Sequence, residues 1–121
     1  MKMPPPSTEA VRLFHTMVPD TPGVAARQMF GQPCAFVHGN MFFGVYGGEI
    51  FVRLSEGDCS DALRDPSFHR FEPMAGRPMK EYVVLPASVT GNPATFRTWV
   101  DRSVRYAARL PPKSAKRKSP R

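Results

Sequence analysis

The 121-residue sequence predicts a single α+β domain with a mainly antiparallel sheet, in the element order α-β-β-β-α-β-β-α. Apolar residues recur at helical spacing near both ends of the chain, and aromatic and β-branched runs alternate with glycine turns in its middle. The length suits one domain, since a domain typically has about 100–200 residues. A hydrophobic content of 41% supplies the material for a buried core.

The first helix is expected to begin at Ser7 or Thr8, because either hydroxyl can cap a helix. Glu9 then lies in the first turn, where a negative charge suits the helix dipole. Proline, aspartate and glycine at positions 19–23 end this helix and turn the chain. Its apolar stripe consists of Ala10, Leu13, Phe14 and Met17.

Residues 34–37, 41–46 and 50–54 predict a three-stranded meander. The last two strands are joined by Gly47 and Gly48, and a glycine pair between aromatic and β-branched runs is typical of a tight hairpin because the turn needs positive φ angles.

The second half of the chain predicts two helices and two strands. Residues 55–64 predict a short helix, and residues 68–74 and 80–85 predict strands around a turn at residues 75–78. The final helix is expected to begin after Asn92, a capping residue, with Pro93 at its first position, and to end near Leu110.

The net charge of +7 is concentrated near the C-terminus. Residues 1–110 carry 12 basic and 10 acidic residues, whereas residues 111–121 carry five basic residues and no acid. We expect residues 111–121 to be a disordered basic tail, and residues 1–6 to be a flexible N-terminus, around a domain at residues 7–110. The tail is either a solubilising segment or a weak, non-specific nucleic-acid-binding segment that acts through Lys113, Lys116, Arg117, Lys118 and Arg121.

No residue pattern predicts a catalytic, cofactor-binding or metal site. The three histidines lie in three different elements without the spacing of zinc ligands, and no nucleophile elbow or phosphate-binding glycine loop occurs. Cys34 and Cys59 are expected to be free, buried thiols. No apolar run reaches the roughly 18 residues of a membrane span, and no secretory signal is recognisable, so we expect a cytoplasmic protein.

Two charged stripes each have two interpretations. Asp58, Asp61 and Asp65 either form a cation site or, as we favour, stabilise the start of a short helix on a solvated face. The arginines of the final helix, Arg102, Arg105 and Arg109, either contact phosphates or lie on a solvent-facing side whose arginines pair with Asp101. We favour the second interpretation here also.

The sequence Arg-Gln-Met-Phe-Gly at residues 27–31, followed by Phe-Val-His-Gly-Asn-Met-Phe at 36–42 and Ile-Phe-Val-Arg at 50–53, resembles the TfoX N-terminal domain family. TfoX is a regulator of competence for DNA transformation. Gln32 stands where the family usually has a second glycine. The resemblance extends over residues 13–110 and implies the α+β fold of a bacterial regulator, with no catalytic residues to transfer. The motif residues are Met29, Phe30, Gly31, Gly39, Met41 and Phe42.

The leading functional hypothesis is therefore a non-enzymatic regulatory or interaction domain with a protein partner, and weak nucleic-acid binding is the alternative. An enzyme or small-molecule binder would need convergent polar groups, which the sequence does not indicate. We also expect a homodimer formed through the sheet, because the strand at residues 41–46 carries large apolar side chains on both faces. The competing expectation is that the final helix crosses to the second face and buries it.

Overall fold

The computed structural model describes residues 4–29, 31–74 and 76–112. It has the predicted α+β architecture, with one strand and one short helix more than the sequence indicated. The elements are α1 (Thr8–Met17), β1 (Val24–Met29), β2 (Gln32–Val37), β3 (Asn40–Tyr46), β4 (Glu49–Arg53), α2 (Glu56–Leu63), β5 (His69–Arg70), β6 (Tyr82–Val84), α3 (Ala87–Thr90) and α4 (Pro93–Ala108).

The strands form one six-stranded sheet in the order β1-β2-β3-β4-β6-β5, in which all neighbours are antiparallel. The predicted three-stranded meander is present as β2, β3 and β4. It is preceded by β1, which the sequence did not predict as a strand. Residues 25–29 are exposed on both faces, so β1 lacks the alternation that identifies a half-buried strand.

The helices begin where the capping residues indicated. The Ser7 hydroxyl accepts the Ala10 N–H, the Ser55 hydroxyl accepts the Asp58 N–H, and the Asn92 side chain accepts the Thr95 N–H. No helix in the described residues is long and apolar enough to cross a membrane.

Helices α1 and α4 cover the first face of the sheet, which we call the helix face. The ring of Phe43 in β3 lies 4.8 Å from that of Phe14 in α1 and 6.1 Å from that of Phe96 in α4, between ring centroids. All three side chains are fully buried. The expectation that the final helix crosses to the other face is therefore wrong, because its apolar side chains pack beside those of α1.

The second face, which we call the segment face, is covered by the segment at residues 71–79 rather than by a helix. Phe71 stacks on Phe51 of β4 with ring centroids 4.3 Å apart. The strand predicted at residues 68–74 is accordingly reduced to His69–Arg70, and the one at 80–85 to Tyr82–Val84. We expected a homodimer because large apolar side chains occupy both faces of the sheet, but on this second face Phe51 is covered and only 3% exposed.

Candidate functional site

A cavity of about 290 Å³ lies on the segment face of the sheet. Three methionines and three aromatic residues dominate its lining. They are Met29, Met41, Met79, Tyr46, Phe51 and Phe71. Because these residues come from β1, β3, β4 and the covering segment, the sheet topology and not sequence proximity creates the cavity.

The floor of the cavity depends on a glycine in β3. A Cβ atom on Gly44 would lie 2.7 Å from Cζ of Phe51 and 2.8 Å from Sγ of Cys34, closer than carbon atoms normally approach. The absence of a side chain at Gly44 therefore leaves the space that the side chains of Cys34 and Phe51 occupy. Small residues at such points commonly mark a close approach of neighbouring groups.

The polar groups beside the cavity already have partners. The Tyr46 hydroxyl donates to the Pro73 carbonyl at 3.2 Å. Both ends of the Gln32 carboxamide are hydrogen-bonded within the chain. Burial raises the pKa of the Cys34 thiol to about 11, which favours the neutral thiol near neutral pH. The cavity can hold an apolar group, and the Tyr46 hydroxyl and Gln32 carboxamide in its lining are engaged in hydrogen bonds to the chain's own backbone.

The structure places five of the six motif residues, and they lie in three different surroundings. Met29 and Met41 come together in the cavity lining. Gly31 and Gly39 lie in turns with φ angles of 80° and 83°, which favour glycine. Phe42 is buried in the core of the helix face, and Phe30 lies outside the described residues.

An ion pair joins Arg53 of β4 to Glu81, which lies just before β6 and beside Tyr82. The Glu81 carboxylate accepts hydrogen bonds from Nε of Arg53 at 2.6 Å and from the Tyr106 hydroxyl at 2.8 Å. Partial burial acts to raise the pKa of Glu81, but the hydrogen bonds from Arg53 and Tyr106 outweigh it and lower the pKa. This cluster is internally paired, and we assign it a structural role.

The charged stripes are partly joined to each other. Nη1 of Arg102 lies 3.5 Å from Asp58 and 4.0 Å from Asp61, and its guanidinium lies 4.6 Å from the centroid of the Trp99 ring. Within residues 4–29, 31–74 and 76–112, no group of three or more metal-ligating side chains occurs. The favoured interpretation of the aspartates as helix-stabilising residues on a solvated face is consistent with this pairing.

The basic residues of α4 differ from expectation. Arg102 pairs with α2, and the expected ion pairs of Asp101 with neighbouring arginines do not form among the described residues. Arg105 and Arg109 are exposed and lie with Arg102 along a shallow groove. The five predicted nucleic-acid-binding residues, at positions 113–121, lie outside the described residues. The prediction of two free, buried cysteines is confirmed.

The sequence motifs indicated Met29 and Met41 but not the residues that complete the cavity. Met79 is far from the motif in sequence, and no spacing rule connects it to the motif. A usable signal was the glycine inside β3, because an isolated glycine in a strand often marks a close approach.

The comparison with family models agrees with the motif. No curated protein matches the sequence. The family model for the TfoX N-terminal domain matches residues 17–107, which include the whole sheet, the covering segment and most of α4. Because this match spans far more than half of the 121 residues, the chain belongs to the TfoX N-terminal domain family.

Proposed function

We propose that this chain is a non-enzymatic regulatory or interaction domain that binds an apolar side chain of a protein partner in the methionine-lined cavity. The observation that carries the proposal is the convergence of two motif methionines, Met29 and Met41, on one cavity of about 290 Å³. We further propose that it acts in the bacterial cytoplasm as a homodimeric regulator.

The size and chemistry of the cavity support a side chain as its occupant. An apolar cavity of about 150 Å³ can hold a benzene ring, so the cavity here has room for one large aromatic or aliphatic side chain. Methionine side chains are flexible and polarizable, and they adapt to apolar groups of different shape. The neutral thiol of Cys34 and the paired carboxylate of Glu81 support a binding role over a catalytic one.

A selection experiment tests the proposal. Peptides are selected from a phage-displayed library on the wild-type domain, and their affinities are measured by isothermal titration calorimetry. We expect the selected peptides to share one bulky apolar residue. Their binding should weaken about tenfold, or 1.4 kcal/mol, for Met41→Gln, which keeps the side-chain length but makes the lining polar.

Met74→Gln is the matched control, because Met74 is 53% exposed and does not line the cavity. Peptides that bind Met41→Gln as tightly as the wild type would contradict the proposal.

The basic tail supports a second candidate function, which is sequence-independent nucleic-acid binding. Five positive charges lie within residues 113–121. Neutralising at most five phosphates gives a slope of log affinity against log salt no steeper than about −4.5 on duplex DNA. Fluorescence anisotropy at several salt concentrations would measure this slope. Binding should disappear when all five basic residues are replaced by alanine, and binding that survives in this variant excludes the tail.

A further inference from the structure

The two edges of the sheet differ in how well they are protected against pairing with a strand of another chain. At one edge, β5 has only two residues. At the other edge, β1 has six residues, of which residues 25–29 are exposed. Sheet edges are usually blocked by a short strand, a proline, a bulge or charged side chains. Strand β1 contains no proline, pairs with β2 in regular register, and carries a single charged residue, Arg27.

The hydrogen-bond pattern of β1 defines which backbone groups face outward. The Gly23 carbonyl accepts the His38 N–H at 3.1 Å, one step beyond the Val24–Val37 pair of the β1–β2 register. Hydrogen-bonded and non-hydrogen-bonded pairs alternate in an antiparallel ladder. The backbone groups of the odd-numbered residues of β1 therefore face β2, and those of Val24, Ala26 and Gln28 face away from the sheet.

The outward-facing edge offers two available donors and three acceptors. The Val24 N–H already donates to the Thr21 carbonyl at 3.1 Å. The N–H groups of Ala26 and Gln28, and the carbonyls of Val24, Ala26 and Gln28, have no backbone partner among the residues that the structure describes. A partner strand must therefore supply two acceptors at this spacing.

We infer that β1 pairs antiparallel with β1 of a second copy of this chain, about a two-fold axis at Ala26. In this register Ala26 lies opposite Ala26 of the other copy and exchanges two hydrogen bonds with it. Each Gln28 N–H donates to the Val24 carbonyl of the other copy. All the available N–H groups are then satisfied by one self-complementary surface, as a two-fold dimer requires.

The charge of Arg27 favours the register centred on Ala26 over the register centred on Arg27. Centring the axis on Arg27 would also satisfy four hydrogen bonds, but it would place two arginines directly opposite each other, which is destabilising. Centring it on Ala26 places Arg27 opposite Ala25. The Arg27 guanidinium also lies 4.2 Å from the centroid of the Phe36 ring on β2 of its own sheet, so its charge is drawn away from the edge.

The inference specifies the interface of the proposed homodimer and is independent of the cavity. Its first test is the mass of Ala26→Pro in sedimentation-velocity experiments over a concentration series. Proline removes an outward-facing N–H, and proline is tolerated at such edge positions. We expect the wild type to sediment at twice the 13.5 kDa chain mass and Ala26→Pro to sediment as a folded monomer.

The second test uses charge. Ala26→Lys and Ala26→Glu each place like charges on the two-fold axis, so each variant alone should be monomeric, whereas an equimolar mixture should form a heterodimer. A wild type that is monomeric at all concentrations would overturn both the inference and the homodimer. A wild-type dimer that persists unchanged in Ala26→Pro and in both charged variants would overturn the β1 interface alone and leave a homodimer formed elsewhere.

Discussion

The side-chain carbonyl of Gln32 accepts the backbone N–H of Gly47 at 3.1 Å, between the start of β2 and the β3–β4 turn. The other end of the carboxamide donates to the Pro4 carbonyl at 2.6 Å. Gln32 is only 3% exposed. The residue that replaces the family's usual second glycine thus joins the segment before α1 to the central hairpin.

Replacing Gln32 with methionine removes both hydrogen bonds and keeps the side-chain length. We expect the free energy of unfolding to fall by about 1–3 kcal/mol, because the Gly47 N–H is left without its partner. Urea unfolding followed by circular dichroism measures this change. Gln28→Met is the control, since Gln28 is exposed and its change should be within about 0.5 kcal/mol. Equal effects of the two substitutions would contradict the assignment.

Replacing Gly44 with alanine tests the floor of the cavity. The new methyl group would overlap Phe51 and Cys34, both of which are buried, so we expect a loss of about 1–3 kcal/mol in thermal or urea unfolding. Gly57→Ala is the contrasting substitution, because it should raise the free energy of unfolding instead of lowering it. No atom lies within 4 Å of a Cβ at Gly57 in α2, and alanine should stabilise that helix by up to about 1 kcal/mol. If Gly44→Ala left the free energy of unfolding unchanged, the side chains on the cavity floor could rearrange around the new methyl group.

Ser103 joins α4 to the two central strands. Its fully buried hydroxyl donates to the Phe42 carbonyl at 2.6 Å and accepts the Arg53 N–H at 3.2 Å. We expect Ser103→Ala to lower the free energy of unfolding by about 1–3 kcal/mol, because two buried backbone groups lose their partner. Ser60→Ala on the exposed side of α2 is the matched control, for which little change in urea unfolding is expected.

The Glu81 ion pair gives stability a defined pH dependence. Hydrogen bonds from Arg53 and Tyr106, acting against partial burial, lower the pKa of Glu81 in the folded state below its ordinary value of 4.5. A carboxyl group with a lowered folded-state pKa stabilises the protein above the unfolded-state pKa, and this contribution is lost as the pH falls through the folded-state value.

The wild type should therefore be more stable than Glu81→Gln above pH 4.5, and the difference should shrink on further acidification. Thermal unfolding of both proteins across this range measures the difference, since their other carboxyl groups titrate alike. A difference that grows with acidification would exclude the lowered pKa.

The two cysteines should be unreactive in the folded protein. Both are buried, and burial raises the pKa of each thiol. A thiol-specific reagent at neutral pH should label neither residue until denaturant is added, and then both. Rapid labelling of either cysteine under native conditions would show that its surroundings open readily, since exposure and thiolate formation govern the rate.

The sequence predicted the helices that follow a capping residue and the strands that are apolar runs bounded by glycine turns. Helices α1, α2 and α4 are of the first kind, and strands β2 to β4 are of the second. It did not predict β1, whose residues 25–29 are exposed on both faces. It also missed α3, a single turn at Ala87–Thr90 that is too short to show a period.

The covering segment was misread for a different reason. Phe71 supplies a buried aromatic side chain just as a strand residue would, but its ring stacks on the sheet from outside. Apolar residues in a strand and in a segment lying over a sheet are indistinguishable in a single sequence. The cavity beneath this segment therefore became visible only with the tertiary structure, although two of its methionines belong to the sequence motif.

The position of α4 in the chain determines how this domain emerges from the ribosome. Strands β1 to β4 are complete at Arg53, and their contacts are local, so the meander can form early in synthesis. Phe96 and Val100, which cover the helix face of that sheet, are added more than forty residues later. An uncovered apolar sheet is prone to aggregate. Until α4 has been translated, the part of the helix face that Phe96 and Val100 cover therefore lacks its packing partner, and only α1 protects that face.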